Sequence, residues 1–170
     1  LVPSGIASDK TAAKFFKGVA TEGRLKALYD FENKKVFFPE VHASFKFVVF
    51  VASPSPTDEE AKLAFYLRDV HQLSDPNRCF SLSADDFARV NPNTGTAPVF
   101  RSKRDAELTT SIYARLPILT DRSCGEVISV WPVQYDQMLN MTTDSHLFMS
   151  RAQIENELGG YPTSQNRFQS

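Results

Sequence analysis

The alternation of apolar and polar residues predicts a β-strand at 44–53. One face of this segment carries four apolar side chains, those of Phe45, Phe47, Val49 and Val51. Val48 and Phe50 cover much of the opposite face, and a strand that is apolar on both faces is typical of the interior of a sheet. The same pattern predicts further strands at 25–31, 62–67, 80–82 and 126–133, the last of which carries Trp131.

Helices are predicted where a serine is followed by apolar residues that recur every three or four positions. A serine at this place can accept a hydrogen bond from the first turn of a helix. The predicted helices cover 9–21, 84–90, 103–116 and 151–158, and their predicted N-caps are Ser8, Ser83, Ser102 and Ser150. In the third helix, Leu108, Ile112 and Leu116 are spaced to form the inner face. The polar residues 161–170 are predicted to form a tail.

Strands alternate with helices early in the chain and the order becomes irregular later. We therefore predict a fold that begins as α/β and continues as α+β. A polar segment with two prolines, 54–60, is predicted to be an exposed loop between residues 1–53 and 61–170. The apolar residues 1–3 resemble the end of a buried strand, so the chain is expected to be a part of a longer protein.

Composition places the chain among folded proteins and narrows its partners. Of its 170 residues, 42% are hydrophobic and 23% are charged, with a net charge of −1. This balance excludes a strongly basic DNA-binding domain, so any contact with nucleic acid requires a local basic patch. The apolar runs are too short to span a membrane, and we expect a cytoplasmic protein with no membrane partner. The cysteines and histidines lack the spacing of metal ligands, so no metal site is predicted.

The sequence contains no complete catalytic motif, and no catalytic residue is predicted. Phosphate-binding, dinucleotide-binding and zinc-protease motifs are all absent. Asn91-Pro92-Asn93-Thr94 is similar to the Asn-Pro-Pro-aromatic tetrad with which amino-methyltransferases hold their target. Asn93 and Thr94 replace the second proline and the aromatic residue, however, and we interpret this segment as a structural turn.

Basic residues cluster at the start of the helix predicted at 103–116. Arg101, Lys103 and Arg104 are placed where the partial positive charge of a helix N-terminus disfavours cations, and a DNA phosphate would relieve this conflict. Arg115 follows Arg104 at almost the same helical angle and could extend the patch. The alternative is a solvated cluster that forms ion pairs with nearby acidic residues.

The aromatic run Phe37-Phe38-Pro39 also permits two interpretations. Aromatic side chains are common in protein cores, and the first interpretation is packing. The second is a ring that stacks on a flat ligand, such as a base flipped out of a duplex.

Eight segments in order along the chain resemble one protein family. They are VPSGIA at 2–7, LYDFEN at 28–33, FP at 38–39, FKF at 45–47, NPNT at 91–94, FRSKRDAE at 100–107, IY at 112–113 and DSHLF at 144–148. The chain is thereby similar to the large adenine-specific DNA methyltransferases of type II restriction–modification enzymes, the Eco57I-like family.

The resemblance implies which part of such an enzyme the chain would form. Residues 1–53 would be the C-terminal part of a Rossmann-like methyltransferase sheet: the end of a strand, a helix, and the last two strands, antiparallel at the sheet edge. Residues 61–170 would lead into the region that recognises DNA. Phe38 would pack against the flipped adenine, with double-stranded DNA and the remainder of the methyltransferase chain as partners. The residues that hold S-adenosylmethionine would lie elsewhere in that chain, so residues 1–170 are expected to be inactive alone.

Two other functions remain open from the sequence. The chain could be a non-catalytic DNA-binding or specificity module, or a protein-interaction domain. A part of a methyltransferase core is expected to expose apolar surface on residues 1–3 and on the strand at 44–53. An independent module is expected to cover its sheet edges.

Overall fold

The chain contains two compact units, Leu1–Trp131 and Pro132–Ser170. The computed structural model describes residues 1–122, 125–133, 136–157, 159, 161–164 and 167–169. The first unit is a mixed α and β structure around one sheet. It contains Phe38 and the basic residues Arg101, Lys103, Arg104 and Arg115. The second contains a short helix and a pair of antiparallel strands.

The first unit is built on a five-stranded sheet that is mostly antiparallel. Its strands are β1 (Val2–Pro3), β2 (Leu25–Glu32), β3 (Lys46–Ala52), β4 (Ala61–Leu67) and β5 (Phe80–Leu82). They lie in the order β1-β3-β2-β4-β5. β3 is antiparallel to both β1 and β2, and β4 is antiparallel to β5, whereas β2 and β4 are parallel. The strands predicted at 25–31, 44–53, 62–67 and 80–82 are confirmed, with small differences at their ends.

β2 is not an edge strand, although the family resemblance implies that β2 and β3 lie at the edge of the sheet. β4 pairs with the free side of β2, and β5 continues the sheet beyond it. The cause is the apolar sequence of β4, in which Leu63, Ala64 and Leu67 are completely buried. The loop at 54–60 has no helix or strand, and the residues before and after it belong to the same sheet. The functional division at this loop stays a prediction.

Five α-helices are present among the described residues: α1 (Gly5–Ser8), α2 (Ala13–Thr21), α3 (Ala84–Val90), α4 (Lys103–Tyr113) and α5 (Arg151–Glu157). Ser83 and Ser102 are confirmed as N-caps, since their side chains accept hydrogen bonds from the backbone N–H groups of Asp86 and Asp105. Ser150 likewise accepts from Gln153. Leu158, the predicted end of the last helix, lies outside the described residues.

The predicted cap at Ser8 is wrong. The chain forms a helical turn earlier than expected, and Ser8 is the last residue of α1. Its hydroxyl donates to the carbonyl of Ser4. Asp9 then adopts an extended conformation, which separates α1 from α2.

Both faces of the sheet carry apolar side chains. Successive side chains of a strand point to opposite faces, and the strands have apolar residues at both sets of positions. On one face, α2 and α3 cover the centre of the sheet, and the ring of Phe16 meets that of Phe87 edge-on at 6.0 Å. The core residues shared by these helices and the strands include Phe16, Val19, Leu28, Val48, Leu63 and Phe87. On the other face lies a second cluster, formed by Phe31, Ala64 and Leu67 with Tyr29, Phe37, Phe47, Val49, Leu73 and Cys79. The interior position predicted for the 44–53 strand is confirmed.

The predicted inner face of α4 is also wrong. Leu108 and Ile112 are exposed, and Leu116 follows the end of the helix and is exposed as well. Ala106 is the buried residue of α4 and belongs to the core. The small side chain of Ala106 lets the backbone of α4 lie close to the core. The helix therefore faces the core with Ala106 and not with the leucine and isoleucine side chains that are spaced along its other side.

Two predictions for the later part of the chain are incorrect. The described residues within 126–133 form no strand, and only an isolated bridge joins Asp121 to Ile128. Trp131 is partly exposed, and its indole N–H donates to the carbonyl of Pro117 at 3.1 Å. The predicted tail instead contains two paired strands, β6 (Tyr161–Ser164) and β7 (Arg167–Gln169). Backbone pairing between adjacent strands needs no apolar pattern, so the polar sequence gave no sign of it.

None of the helices in the described residues has the length and apolar character needed to cross a membrane.

Candidate nucleic-acid interface

The loop between β2 and β3 is held together by one buried side chain, that of Asn33. Asn33 is 1% exposed. Its amide nitrogen donates to the carbonyl oxygens of Phe38 at 2.9 Å and Val41 at 3.1 Å. Its amide oxygen accepts from the backbone N–H of Phe38 at 2.9 Å. These three hydrogen bonds fix the backbone of Phe38 relative to the end of β2.

Phe37 and Phe38 have different environments, although they are adjacent in the sequence. The Phe37 ring packs edge-on against the rings of Phe31 and Phe47 within the second cluster. The distances between ring centres are 5.2 Å and 5.3 Å. The Phe38 ring touches Phe47 edge-on at 5.1 Å, and Phe38 is 40% exposed. Phe37 is therefore a packing residue, whereas Phe38 is partly exposed.

Phe38 lines an apolar groove beside the short strand β1. The groove has a volume of about 290 Å³. Its walls are formed by Leu1, Val2, Pro3, Asn33, Phe38, Val41, Phe45, Lys46 and Phe47. A groove with this lining suits a flat, largely apolar group better than a charged one.

The four basic residues predicted to bind phosphate do not all face one site. Arg101 lies over the ring of Tyr66, with its guanidinium carbon 4.6 Å from the ring centre. Lys103 lines a different cavity, together with Glu60, Asp86 and Glu107, and pairs with Glu107 at 3.7 Å. The surroundings of Lys103 therefore fit the alternative interpretation given above, a solvated cluster that forms ion pairs with nearby acidic residues.

The other two of these residues are exposed. Arg104 lies in the first turn of α4. Arg115 follows the end of α4, and its Nε donates to the carbonyl of Ser111 at 3.1 Å. Their contact with DNA stays a prediction.

Further basic residues, which form no cluster in the sequence, lie around Tyr66. Arg68 and Arg78 line a cavity of about 410 Å³ together with Arg101 and Tyr66. The Nζ of Lys46 lies 4.4 Å from the centre of the same ring. These residues are far apart in the sequence, so no local cluster marked them.

Two acidic residues next to Tyr66, Asp30 and Glu32, have pKa values that are shifted in opposite directions. Asp30 is 5% exposed, and its carboxylate accepts from the backbone N–H of Tyr66 at 3.4 Å. Burial raises the pKa of Asp30, although nearby Lys46 and this hydrogen bond partly oppose the shift. The pKa of Glu32 is lowered, mainly by a hydrogen bond from Arg68 at 2.8 Å.

We expect Asp30→Asn to stabilise the protein at pH 7 relative to the natural chain. A carboxyl whose pKa is raised by folding favours the folded state below its unfolded pKa, and this contribution is lost as the pH rises through the folded pKa. Asparagine carries no charge and can still accept the hydrogen bond from Tyr66. The difference in free energy of unfolding between the two proteins, measured by urea denaturation from pH 4 to pH 7, should therefore grow with pH.

The matched control for this measurement is Asp58→Asn, in the exposed loop at 54–60. This variant should follow the pH profile of the natural chain. A constant difference between Asp30→Asn and the natural chain across the pH range would contradict the expectation.

Two glycines have left-handed backbone conformations at positions where a side chain would collide with neighbouring atoms. Gly23 has a φ of 68°, and a Cβ there would lie 2.8 Å from the backbone oxygen of Thr57. Gly95 has a φ of 62°, and a Cβ there would lie 2.9 Å from the side chain of Lys17. The described residues contain no cluster of three or more His, Cys, Asp or Glu side chains suited to a metal ion.

Comparison of the chain with family models, with curated proteins and with solved structures finds no match. The family resemblance therefore rests on the sequence segments alone.

Proposed function

We propose that this chain is part of an S-adenosylmethionine-dependent DNA adenine-N6 methyltransferase of a type II restriction–modification system. In this proposal Phe38 forms one wall of the pocket for a flipped adenine, and basic residues bind the DNA backbone. The chain binds double-stranded DNA, and transfers no methyl group by itself.

The observation that carries the proposal is the position of the Phe38 ring. It is partly exposed on an apolar groove, whereas its neighbour Phe37 is packed in a cluster. The Asn33 hydrogen bonds fix its backbone on both sides, through the N–H and the carbonyl of Phe38. A partly exposed ring on a fixed backbone can stack on a base that has left the duplex at little cost in backbone conformational entropy.

The order of elements also supports the proposal. The resemblance implies the end of a strand, a helix and two antiparallel strands, in that order. The chain has β1, the short helical turn α1, the helix α2, β2 and β3 in that order, and β2 is antiparallel to β3.

The exposed apolar residues favour a part of a methyltransferase core over an independent module. Phe45, at the start of the strand predicted at 44–53, is 62% exposed, and Val51 in β3 is 44% exposed. β1 is an edge strand whose Val2 is 36% exposed. Apolar surface of this kind is expected where the remainder of the methyltransferase chain would pack.

Within the proposed enzyme, this chain would orient the adenine rather than perform chemistry on it. S-adenosylmethionine, held by the remainder of the chain, would supply the methyl group for the adenine amino nitrogen. The Phe38 ring would restrict the tilt of the adenine, and the apolar groove would exclude water from one side of it.

The proposal predicts that Phe38→Ala removes a preference for unpaired adenine. We expect the natural chain to bind a duplex with one extrahelical 2-aminopurine more tightly than the fully paired duplex, and to quench the fluorescence of that base by stacking. A base stacked on an aromatic side chain contributes about 1–3 kcal/mol, so Phe38→Ala should reduce this preference by about fivefold or more.

Phe15→Ala is the matched control, because Phe15 is also exposed but lies on α2 and contacts Phe50. It should behave as the natural chain does. Equal quenching by Phe38→Ala and the natural chain would contradict the role of Phe38. Methyl transfer to DNA by residues 1–170 alone would contradict the expectation that the chain is inactive by itself.

A further inference from the structure

Three arginines from different parts of the chain line the cavity next to Tyr66. Arg68 follows β4, Arg78 precedes β5, and Arg101 precedes α4. The cavity has a volume of about 410 Å³, and Glu32 and Gln72 complete its lining. We infer that this cavity, the Tyr66 pocket, binds a phosphate group.

The Tyr66 pocket has an excess of positive charge. Glu32 accepts a hydrogen bond from Arg68 at 2.8 Å and lies 3.7 Å from the Nζ of Lys46, so one carboxylate serves two cations. Arg78 has only a long ion pair with Asp75, at 3.9 Å. Among the described residues, Arg101 has no ion pair with a carboxylate, and its guanidinium rests on the Tyr66 ring instead.

The backbone at Tyr66 is strained, and the Tyr66 side chain lines the pocket. Tyr66 has a φ of 58°, in the left-handed region that residues other than glycine rarely adopt. It lies where the register between β2 and β4 shifts, between the pairs Tyr29–Ala64 and Phe31–Leu67. Such irregularities re-aim side chains and are frequent near binding sites.

The chemistry of the pocket suits an oxyanion such as phosphate. A guanidinium presents its N–H donors in a planar fork that matches two oxygens of a phosphate. Arg78 and Arg101 can both direct such a fork at one phosphate, because neither forms a close ion pair with a carboxylate in the described residues. Arg68 is fixed by Glu32 and would contribute charge. The source of the phosphate can be the DNA backbone or a free phosphate, and the experiment separates the two.

The test compares two double variants of the full chain that lose the same charge. The pocket variant is Arg78→Gln with Arg101→Gln, which leaves the pair between Arg68 and Glu32 intact. The control variant is Arg24→Gln with Arg89→Gln, two arginines that pair with Glu22 and Asp85 outside the pocket. Circular dichroism and urea denaturation establish that each variant is folded, and Arg101→Gln alone replaces the pocket variant should that variant unfold.

Binding is measured with two probes: a short DNA duplex at several salt concentrations, and inorganic phosphate. For the DNA source, we expect the pocket variant to bind the duplex about tenfold more weakly than the control variant. Its logarithmic salt slope should be smaller in magnitude by about 1, the value for one lost phosphate contact. For the free-phosphate source, phosphate should bind the natural chain and the control variant but not the pocket variant, with duplex binding equal in both variants.

The inference would be overturned if the pocket variant and the control variant lost the same affinity for both probes. It would also be overturned if neither probe bound the natural chain. The inference does not depend on Phe38. The Phe38→Ala variant should retain its affinity for the fully paired duplex and for phosphate, so failure of the adenine proposal is distinguishable from failure of the Tyr66 pocket.

Discussion

The Asn33→Ala variant is expected to lose about 3 kcal/mol of the free energy of unfolding, because a polar group buried without its partner costs about 1–3 kcal/mol. The substitution removes the side-chain partner of the Phe38 N–H and of the Val41 carbonyl. It also removes one of two hydrogen bonds to the Phe38 carbonyl, which still accepts from the backbone N–H of Val41 at 3.1 Å. The loop can partly recover by opening to water, which limits the loss in stability but releases the Phe38 ring. Urea denaturation followed by circular dichroism measures the stability.

Limited proteolysis reports on the loop itself. Lys34 and Lys35 follow Asn33 in left-handed conformations, with φ values of 42° and 63°, and are exposed. Opening of the loop should therefore speed tryptic cleavage at these lysines in the Asn33→Ala variant.

Asn93→Ala is the matched control for Asn33→Ala. The Asn93 side chain also bonds the backbone, at Thr120 and Arg122, but it is exposed, so water can replace it. We expect this control to lose about 1 kcal/mol or less. A loss in Asn33→Ala no larger than that of the control, with unchanged cleavage after Lys34 and Lys35, would disprove the role of Asn33.

Phe47→Ala is expected to reduce the free energy of unfolding by about 2–3 kcal/mol, somewhat less than for a completely buried phenylalanine. The Phe47 ring stacks on Phe31 at 5.3 Å and meets Phe37 and Phe38 edge-on. Each aromatic pair adds about 0.5–1.5 kcal/mol beyond the burial of area. Since Phe38 rests on this ring, the variant should also lose the preference for unpaired 2-aminopurine, even though Phe38 itself is unchanged.

Phe45→Ala separates the packing role of Phe47 from a general effect of removing an aromatic ring. Phe45 lies two residues earlier and is 62% exposed. Its replacement should change stability by less than about 1 kcal/mol, as surface substitutions usually do. Similar urea midpoints for Phe45→Ala and Phe47→Ala would show that the aromatic cluster does not stabilise the fold as inferred.

These two predictions connect the stability of the fold to the proposed site. Asn33 fixes the Phe38 backbone from the end of β2, and Phe47 supports its ring from β3. The resemblance named Phe38 alone. The exposure of this ring and the two residues that support it became visible only once β2 and β3 were paired, and its contact with adenine stays a prediction.

The basic cluster shows a different relation between sequence and site. Arg101, Lys103 and Arg104 are close in the sequence, but Arg101 faces the Tyr66 pocket and Lys103 faces a cavity with three carboxylates. Proximity along the chain did not predict a common surface, because Arg101 lies in the segment before the cap Ser102, whereas Lys103 is the first residue of α4.

The sequence by itself determined the features that depend on neighbouring residues. The apolar faces of β3 predicted an interior strand, and Ser83 and Ser102 predicted the starts of α3 and α4, because a capping hydrogen bond spans only three residues. Only the tertiary structure decided the parallel pairing of β2 with β4, the irregular backbone at Tyr66 and the meeting of Arg68, Arg78 and Arg101. These features depend on contacts between residues far apart in the chain, and no local pattern encodes which distant segments will meet.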